Sequence, residues 1–378
     1  MLDVDVERFW KDDALAWKDP FGPDIPQPAM GGLVSYETVF AELGHPFDMR
    51  RLETDYDFAR GAAKAYNDLA QRIIGRRPLD ETAYDPARRG PYVKSIGELF
   101  GCARVWQSDS WWLMPCASNP GELARVLDRV EKLDLRSAML PEDWDDQARR
   151  YRETCGRGPV LGHWQRGPVT LATSIYGEEN LIFLIHDEPQ LAGRFRDVLR
   201  RVILDYFSIA DQVSDPAGVE PGFGLADDNC ALMTPDMYGF FGLPIVAAVF
   251  ARFAPGPKDQ RYQHSDSDMG HLLPVLAPLN FTGVNFGPKV RFGAIRAAMP
   301  HTIVHGTIAP FTLMRNQEDA IIAEVRRDLD EARATRGLVV DSAGSVNNGT
   351  KLTSVRAVMH AIQRYGRYHG TPGGIGAV

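Results

Sequence analysis

GFGLADDN (222–229) and RYQHSDSD (261–268) each open as a short run that reads as a strand and close abruptly on acids, histidine or asparagine. A run with such a polar stop is the pattern of a strand that carries its reactive residues at the C-terminal end. Outward from this pair the pattern recurs in RVWQSDSWWLMP (104–115), PVLGHWQRG (159–167), GVNFGP (283–288), TIVHGTI (302–308) and GLVVDSAGS (337–345). Helical periodicity fills the intervals, over 119–133, 189–213 and 317–335. Strands alternating with helices predict the α/β class with parallel β/α units, and seven or eight of them over roughly 250 residues is the size of a TIM (β/α)8 barrel. An open doubly wound sheet is the alternative. The chemistry favours the barrel, because Asp227, Asp228, His264, Asp266, His305 and Asp341 come at or just beyond strand ends. Only a closed barrel gathers those ends at one mouth.

Residues 1–100 read as an N-terminal extension packed on a barrel made by residues 101–378, the whole forming one structural domain. The extension holds the proline- and glycine-rich DPFGPDIPQPAMGG (19–32), then a helix over 55–74 with Phe58, Ala62, Ala65, Tyr66, Leu69 and Ile73 on its apolar side.

Composition narrows the function. In 378 residues, 44% hydrophobic and 24% charged excludes a disordered or fibrous chain. Fifty acidic side chains against 42 basic ones, a net charge of -8, leave no positive field for nucleic acid or an anionic membrane. The apolar run FFGLPIVAAVF (240–250) is short for a membrane span and contains a proline. The four cysteines show no CxxC spacing and the start MLDVDVERFW is acidic, so a reducing, cytoplasmic setting is expected.

Five segments carry a family likeness: GPVTLATSIYG (167–177), DDNCALMTPDMYGFFGLP (227–244), HSDSDMGHLLPVL (264–276), HGTIAPF (305–311), and the tail over 342–368 ending RYGRY. In this order and spacing they resemble the uroporphyrinogen decarboxylase superfamily, whose members include porphyrinogen decarboxylases and corrinoid-linked methyltransferases. The resemblance implies a distorted (β/α)8 barrel with a deep cleft at its C-terminal face, and a homodimer. Decarboxylases of this family carry an arginine-rich motif near the N-terminus, whereas VWQSDSWWLMP (105–115) has no arginine after Arg104. Thiol-methylating members hold zinc with a His-x-Cys pair, and here Asp266 stands where that cysteine would be. The His-Ser-Asp form is similar to members that move methyl groups from methoxylated or methylated-amine substrates to a corrinoid protein.

The residues support several roles on their own account. Read as a strand, His264, Asp266 and Asp268 share one face, a ligand set for zinc or iron(II) that Asp227 or Asp228 could complete. The same segment also reads as a helix N-terminus with capping acids, or as a metal-free general acid. Alternation sends one of Asp227 and Asp228 to the cleft; Asp228 is the choice for substrate or cation, leaving Asp227 to bond backbone. Tyr238 offers substrate contact or core packing. His305, in a loop beside glycine, is assigned to substrate, and Asn347–Asn348 to a turn. His163, at the end of its strand, reads as a cleft residue or a buried, satisfied histidine. Trp111 and Trp112, on or near the first barrel strand, suit a flat aromatic ligand or a quaternary ammonium, with one of the two facing inward.

These readings support three functions. The first is methyl transfer from a small methylated substrate to a corrinoid carrier, with His264, Asp228 and Asp266 as catalytic groups and zinc as the metal. The second is decarboxylation of a porphyrin or smaller carboxylate, which requires arginines at the strand ends, where the sequence offers Arg104, Arg166 and Arg261. The third is a non-catalytic ligand-binding barrel.

Overall fold

The computed structural model describes residues 1–368. In chain order its strands are β1 (Ala29–Met30), β2 (Ala103–Gln107), β3 (Ser110–Met114), β4 (Trp164–Arg166), β5 (Gly222–Ala226), β6 (Gln260–His264), β7 (Gly283–Asn285), β8 (Ile303–Ile308) and β9 (Leu338–Ser342). Among the described residues seven of these are parallel and joined by helices, the α/β strand–helix succession of a TIM-like barrel. By internal contacts the chain forms two compact units.

One unit contains Met1–Tyr84, Ser265–Gly270 and the chain from Gly283 onward. Its strands run parallel in the order β1-β9-β8-β7. Leu338, Val339 and Val340 of β9 and Val304 and Ile308 of β8 are fully buried, the continuous apolar reading of parallel strands covered on both faces. The helix expected over 55–74 is Tyr56–Ile73, started by Asp55, whose carboxylate accepts from the Phe58 N–H. The helix expected over 317–335 is Glu318–Ala332. One expectation is corrected: the stretch read as irregular extension supplies β1, which pairs with Val339 and Val340. A strand of two residues has no periodicity for sequence reading to detect.

The other unit contains Asp85–His264 and His271–Thr282. Its parallel strands lie in the order β4-β5-β6, in a register that sets Arg166 beside Ala226 and Ala226 beside His264. Helix Pro189–Val213 falls where the sequence puts it, and the segment over 119–133 is helix Pro120–Val130. Helix Pro235–Phe253 begins with Thr234, whose hydroxyl accepts from the Met237 N–H, and with proline at its first position. Its length and composition would suffice to cross a membrane, but Tyr238, Phe241, Ile245, Val246 and Val249 are buried in this unit, the pattern of a core helix. A second correction concerns RVWQSDSWWLMP: it is not a barrel strand but the antiparallel hairpin β2–β3, turned at Ser108 and Asp109, whose φ angles are 50° and 62°. Two left-handed residues in succession are what a tight hairpin turn demands.

Candidate functional site

The ends of β4, β5 and β6 build one side of the site. Past β4, Gly167 opens helix Pro168–Tyr176, whose first turn has unpaired N–H groups and no capping side chain of its own. Asp227, just past β5, supplies the cap: its Oδ1 accepts from the Thr170 N–H at 2.7 Å. A Cβ on residue 167 would collide with Asp227, so this close approach requires glycine. Asp227 is fully buried, and burial pushes its carboxyl up to about 7 against the lowering effect of the Thr170 bond. Its own N–H donates to the His264 carbonyl at 3.0 Å, tying the end of β5 to the end of β6.

The next residue, Asp228, begins a 3-10 turn, Asp228–Leu232. That turn is fastened to helix Pro168–Tyr176 by Asn229, whose N–H donates to the Thr170 hydroxyl at 3.0 Å and whose Nδ2 donates to the Thr173 hydroxyl at 2.7 Å. Asp228 is therefore held where a carboxylate oxygen lies within 4.8 Å of a His264 ring nitrogen. An imidazole with a neighbouring carboxylate offers nitrogen and oxygen donors, suited to zinc, iron(II) or manganese. The nearby Cys230 is fully buried, and burial, then the charges of Asp227 and Asp228, push its thiol well up.

In the other unit the backbone around Asp266 is shaped by glycine. A Cβ at Gly344, where φ is +104°, would collide with the Asp266 carboxylate, and one at Gly287 would meet the Asp266 carbonyl. Asp266 Oδ1 accepts from the Ser345 N–H at 3.2 Å. Behind this loop Asn285, at the end of β7, donates through Nδ2 to the carbonyls of His305 and Ser342, both at 2.8 Å, and accepts from the Gly344 N–H at 3.1 Å. Sequence reading missed Asn285. Its signal was a lone amide inside the apolar run GVNF, a position that must find partners when buried.

Comparison with known proteins decides the family. Residues 110–365 match the family described as Uroporphyrinogen decarboxylase (URO-D). The chain belongs to the URO-D family. Among solved structures, the URO-D chain is similar to a methyltransferase from Methanosarcina mazei, at 17% identity and a TM-score of 0.57, over 93% of this chain and 97% of that one. That likeness is one of fold. No curated protein matches the chain.

Other candidate residues of this URO-D chain lie elsewhere. β6 ends at His264, so Asp266 sits in a bend and Asp268 does not share its face; the Asp268 carboxylate instead lies 3.8 Å from Lys289 Nζ and is outside the His264 group. His163 precedes β4 rather than following it. Its ring nitrogens lie 2.9 Å from the Gly222 carbonyl and 2.7 Å from Asp211 Oδ1, and the ring packs among Phe207, Phe223 and Phe253, the surroundings of a satisfied histidine. Tyr238 is fully buried, and burial, followed by the charge of Asp227, pushes its phenol well up; it is core rather than contact surface. His305 lies inside β8, not in a loop, and its ring is 6.0 Å from that of Trp17. Burial pushes its imidazole down to about 4. Trp111 and Trp112 sit on the hairpin, 40% and 47% exposed. Of the arginines, Arg261 is committed to the Ala254 and Leu279 carbonyls, while Arg166 ends β4.

Proposed function

We propose that the chain is a methyltransferase that moves a methyl group from a small methylated donor, of methoxy or methylamine type, to a corrinoid carrier protein. URO-D membership and the fold shared with a protein named as a methyltransferase support the reading. The observation that carries it is His264 with a carboxylate oxygen of Asp228 within 4.8 Å of its ring nitrogen.

Loss of a methyl group to a nucleophilic acceptor leaves the bonding electron pair on the donor's oxygen or nitrogen, and the protein's task is to position the methyl carbon and stabilise that atom. The donor set fits a divalent cation. His264 and Asp228 would hold it, and when bound it would act as a Lewis acid on the leaving atom. The chain's own contribution is pre-organisation. Asp227 pins the ends of β5 and β6 together, Asn229 fixes the turn that carries Asp228, and Gly287 and Gly344 leave room for Asp266. Without a cation, His264 would instead be the group to give a proton to the departing oxygen or nitrogen.

The test is elemental analysis of purified protein after incubation with zinc or iron(II), alongside His264→Ala, together with transfer to cob(I)alamin from methoxylated and methylated-amine donors. Near-stoichiometric metal lost in the variant, and transfer lost with it, is expected. Failure of every donor class in the metal-loaded protein would overturn the reading. Arg104 and Arg166 lining one cavity favour a second reading, decarboxylation of a carboxylate substrate, whose signature is release of carbon dioxide.

A further inference from the structure

Two adjoining cavities in the unit that holds β2 to β6, about 250 and 400 Å³, share Ser95, Leu113 and Arg166 and include none of Asp228, His264 and Asp266. Their sizes suit a small organic molecule. The smaller has aromatic walls, Tyr92, Trp111 and Trp112, and two cations, Arg104 and Arg166. The Arg104 guanidinium lies over the Trp111 ring at 4.3 Å. Arg166 donates from Nη1 to the Ser174 hydroxyl at 2.9 Å, which uses one of its five N–H groups. The acid of this lining, Glu98, accepts from Tyr92 Oη at 2.5 Å and from the Ser95 N–H and hydroxyl at 2.9 and 2.7 Å, and its charge is offset by Arg104, so the lining keeps one positive charge in excess, with Arg166. In the larger cavity Gln165 Oε1 is buried with no partner among the described residues, an acceptor that a ligand O–H or N–H would satisfy.

We propose that this crevice binds a planar aromatic carboxylate, and that aromatic acids bearing a methyl ether are the donor class. Two arginines match a carboxylate by fork geometry and repel a methylammonium ion, while indole and phenol walls take a flat ring. The register places the chemistry at the same strand ends. Arg166 is two strands from His264, roughly 10 Å between backbones at about 4.8 Å per strand, a separation comparable to the length of a substituted benzoate. In the transfer the ether carbon–oxygen bond breaks and the methyl carbon bonds to the reduced corrinoid acceptor, which supplies the electron pair. The ether oxygen keeps its own bonding pair and takes one proton to become a phenol. The donor assignment rests on the methyl-transfer reading; the binding site does not.

Intrinsic tryptophan fluorescence of the whole chain, titrated with 4-methoxybenzoate, anisole and tetramethylammonium, tests it. Saturable binding of 4-methoxybenzoate is expected, with anisole weaker by about tenfold or more and no response to tetramethylammonium. Arg104→Met and Arg166→Met should each weaken the benzoate by a similar factor, with far-ultraviolet circular dichroism unchanged. Arg104 is exposed on the hairpin, so its variant tests the site even where Arg166→Met does not fold. Equal binding of anisole, or unchanged benzoate affinity in the folded arginine variants, would overturn the inference. Methyl transfer from an amine without benzoate binding would also overturn it while keeping the transfer reading. Benzoate binding without transfer from any donor would sink the transfer reading and the donor assignment together, and leave the carboxylate site standing.

Discussion

Asn285→Ala should be among the most destabilising single substitutions in its unit. The side chain is 4% exposed, and it satisfies two carbonyls and one N–H from β8 and from the end of β9 and the residues just past it. Alanine removes three hydrogen bonds, one buried and two partly buried, and leaves three backbone groups without that partner. At about 1 kcal/mol per neutral bond, and somewhat more where a buried group is left without a partner, the loss is roughly 3–5 kcal/mol. Asn285→Leu, which refills the volume, should recover little of it, because the deficit is polar. Asn285→Asp is the sharper variant. Its carboxylate can still accept from Gly344 but faces the His305 and Ser342 carbonyls, so at neutral pH it should be worse than alanine. Acidification should restore part of its stability, since a protonated carboxyl donates to one of those two oxygens. Urea denaturation followed by circular dichroism and by tryptophan fluorescence, at pH 7 and pH 5, reads all three variants. An alanine variant within about 1 kcal/mol of wild type, or an aspartate variant as stable as asparagine at pH 7, would refute the view of Asn285 as the tie between strand ends.

Three further outcomes are expected. Gly167→Ala should lose roughly 1–3 kcal/mol, because the new Cβ meets Asp227 while the Gly167 N–H is held by the Ala226 carbonyl at 2.7 Å; a thermal midpoint equal to wild type would contradict this. His163→Ala should lose about 2–4 kcal/mol through its two ring contacts and the cavity left among the phenylalanines, yet keep ligand affinity and metal content in the folded fraction. Loss of binding at unchanged stability would restore the cleft role to His163. Burial lowers the His305 imidazole from 6.5 to about 4, so the folded state prefers it neutral. Its stabilising contribution is complete above about pH 6.5 and is lost progressively toward pH 4, by about 3 kcal/mol at most. His305→Gln should flatten that part of the stability profile, and an unchanged slope in the variant would reject the assignment.

Much of the fold was legible in the sequence because a parallel strand is marked by the polar stop at its C-terminal end. β5, β6, β8 and β9 were each read from an apolar or mixed run and its polar stop, and the long helices from their periodicity. The failures have local causes. VWQSDSWWLM looks continuous to a hydropathy reading, and the clue that splits it into two strands is turn chemistry at Ser108 and Asp109. His163 and Asp268 were misplaced because their roles depend on a strand boundary: β4 starts after the histidine and β6 stops at His264, before either aspartate, and such a shift of the boundary changes which end or face a side chain occupies. Asn285 needed a different question, namely what a buried amide must be bonded to.

The adjacent acids show why position outweighs residue type here. Asp227 and Asp228 carry the same group, yet they could not exchange duties. Helix Pro168–Tyr176 begins at a glycine, and that glycine is forced by the close approach of Asp227 at the end of β5, so the helix has no side chain of its own to cap its first turn. The cap must come from the neighbouring strand end, and the first residue past β5 is the one whose N–H also reaches the His264 carbonyl. Asp227 is thereby buried and occupied. With the residue before it consumed, Asp228 is turned onto the segment that Asn229 fastens to Thr170 and Thr173, beside the imidazole. Exposure of one carboxylate at the site is thus a consequence of burying the other. A chain with glutamate at 227 would have one methylene too many for the space against Gly167, and would be expected to displace Asp228 before it lost the fold.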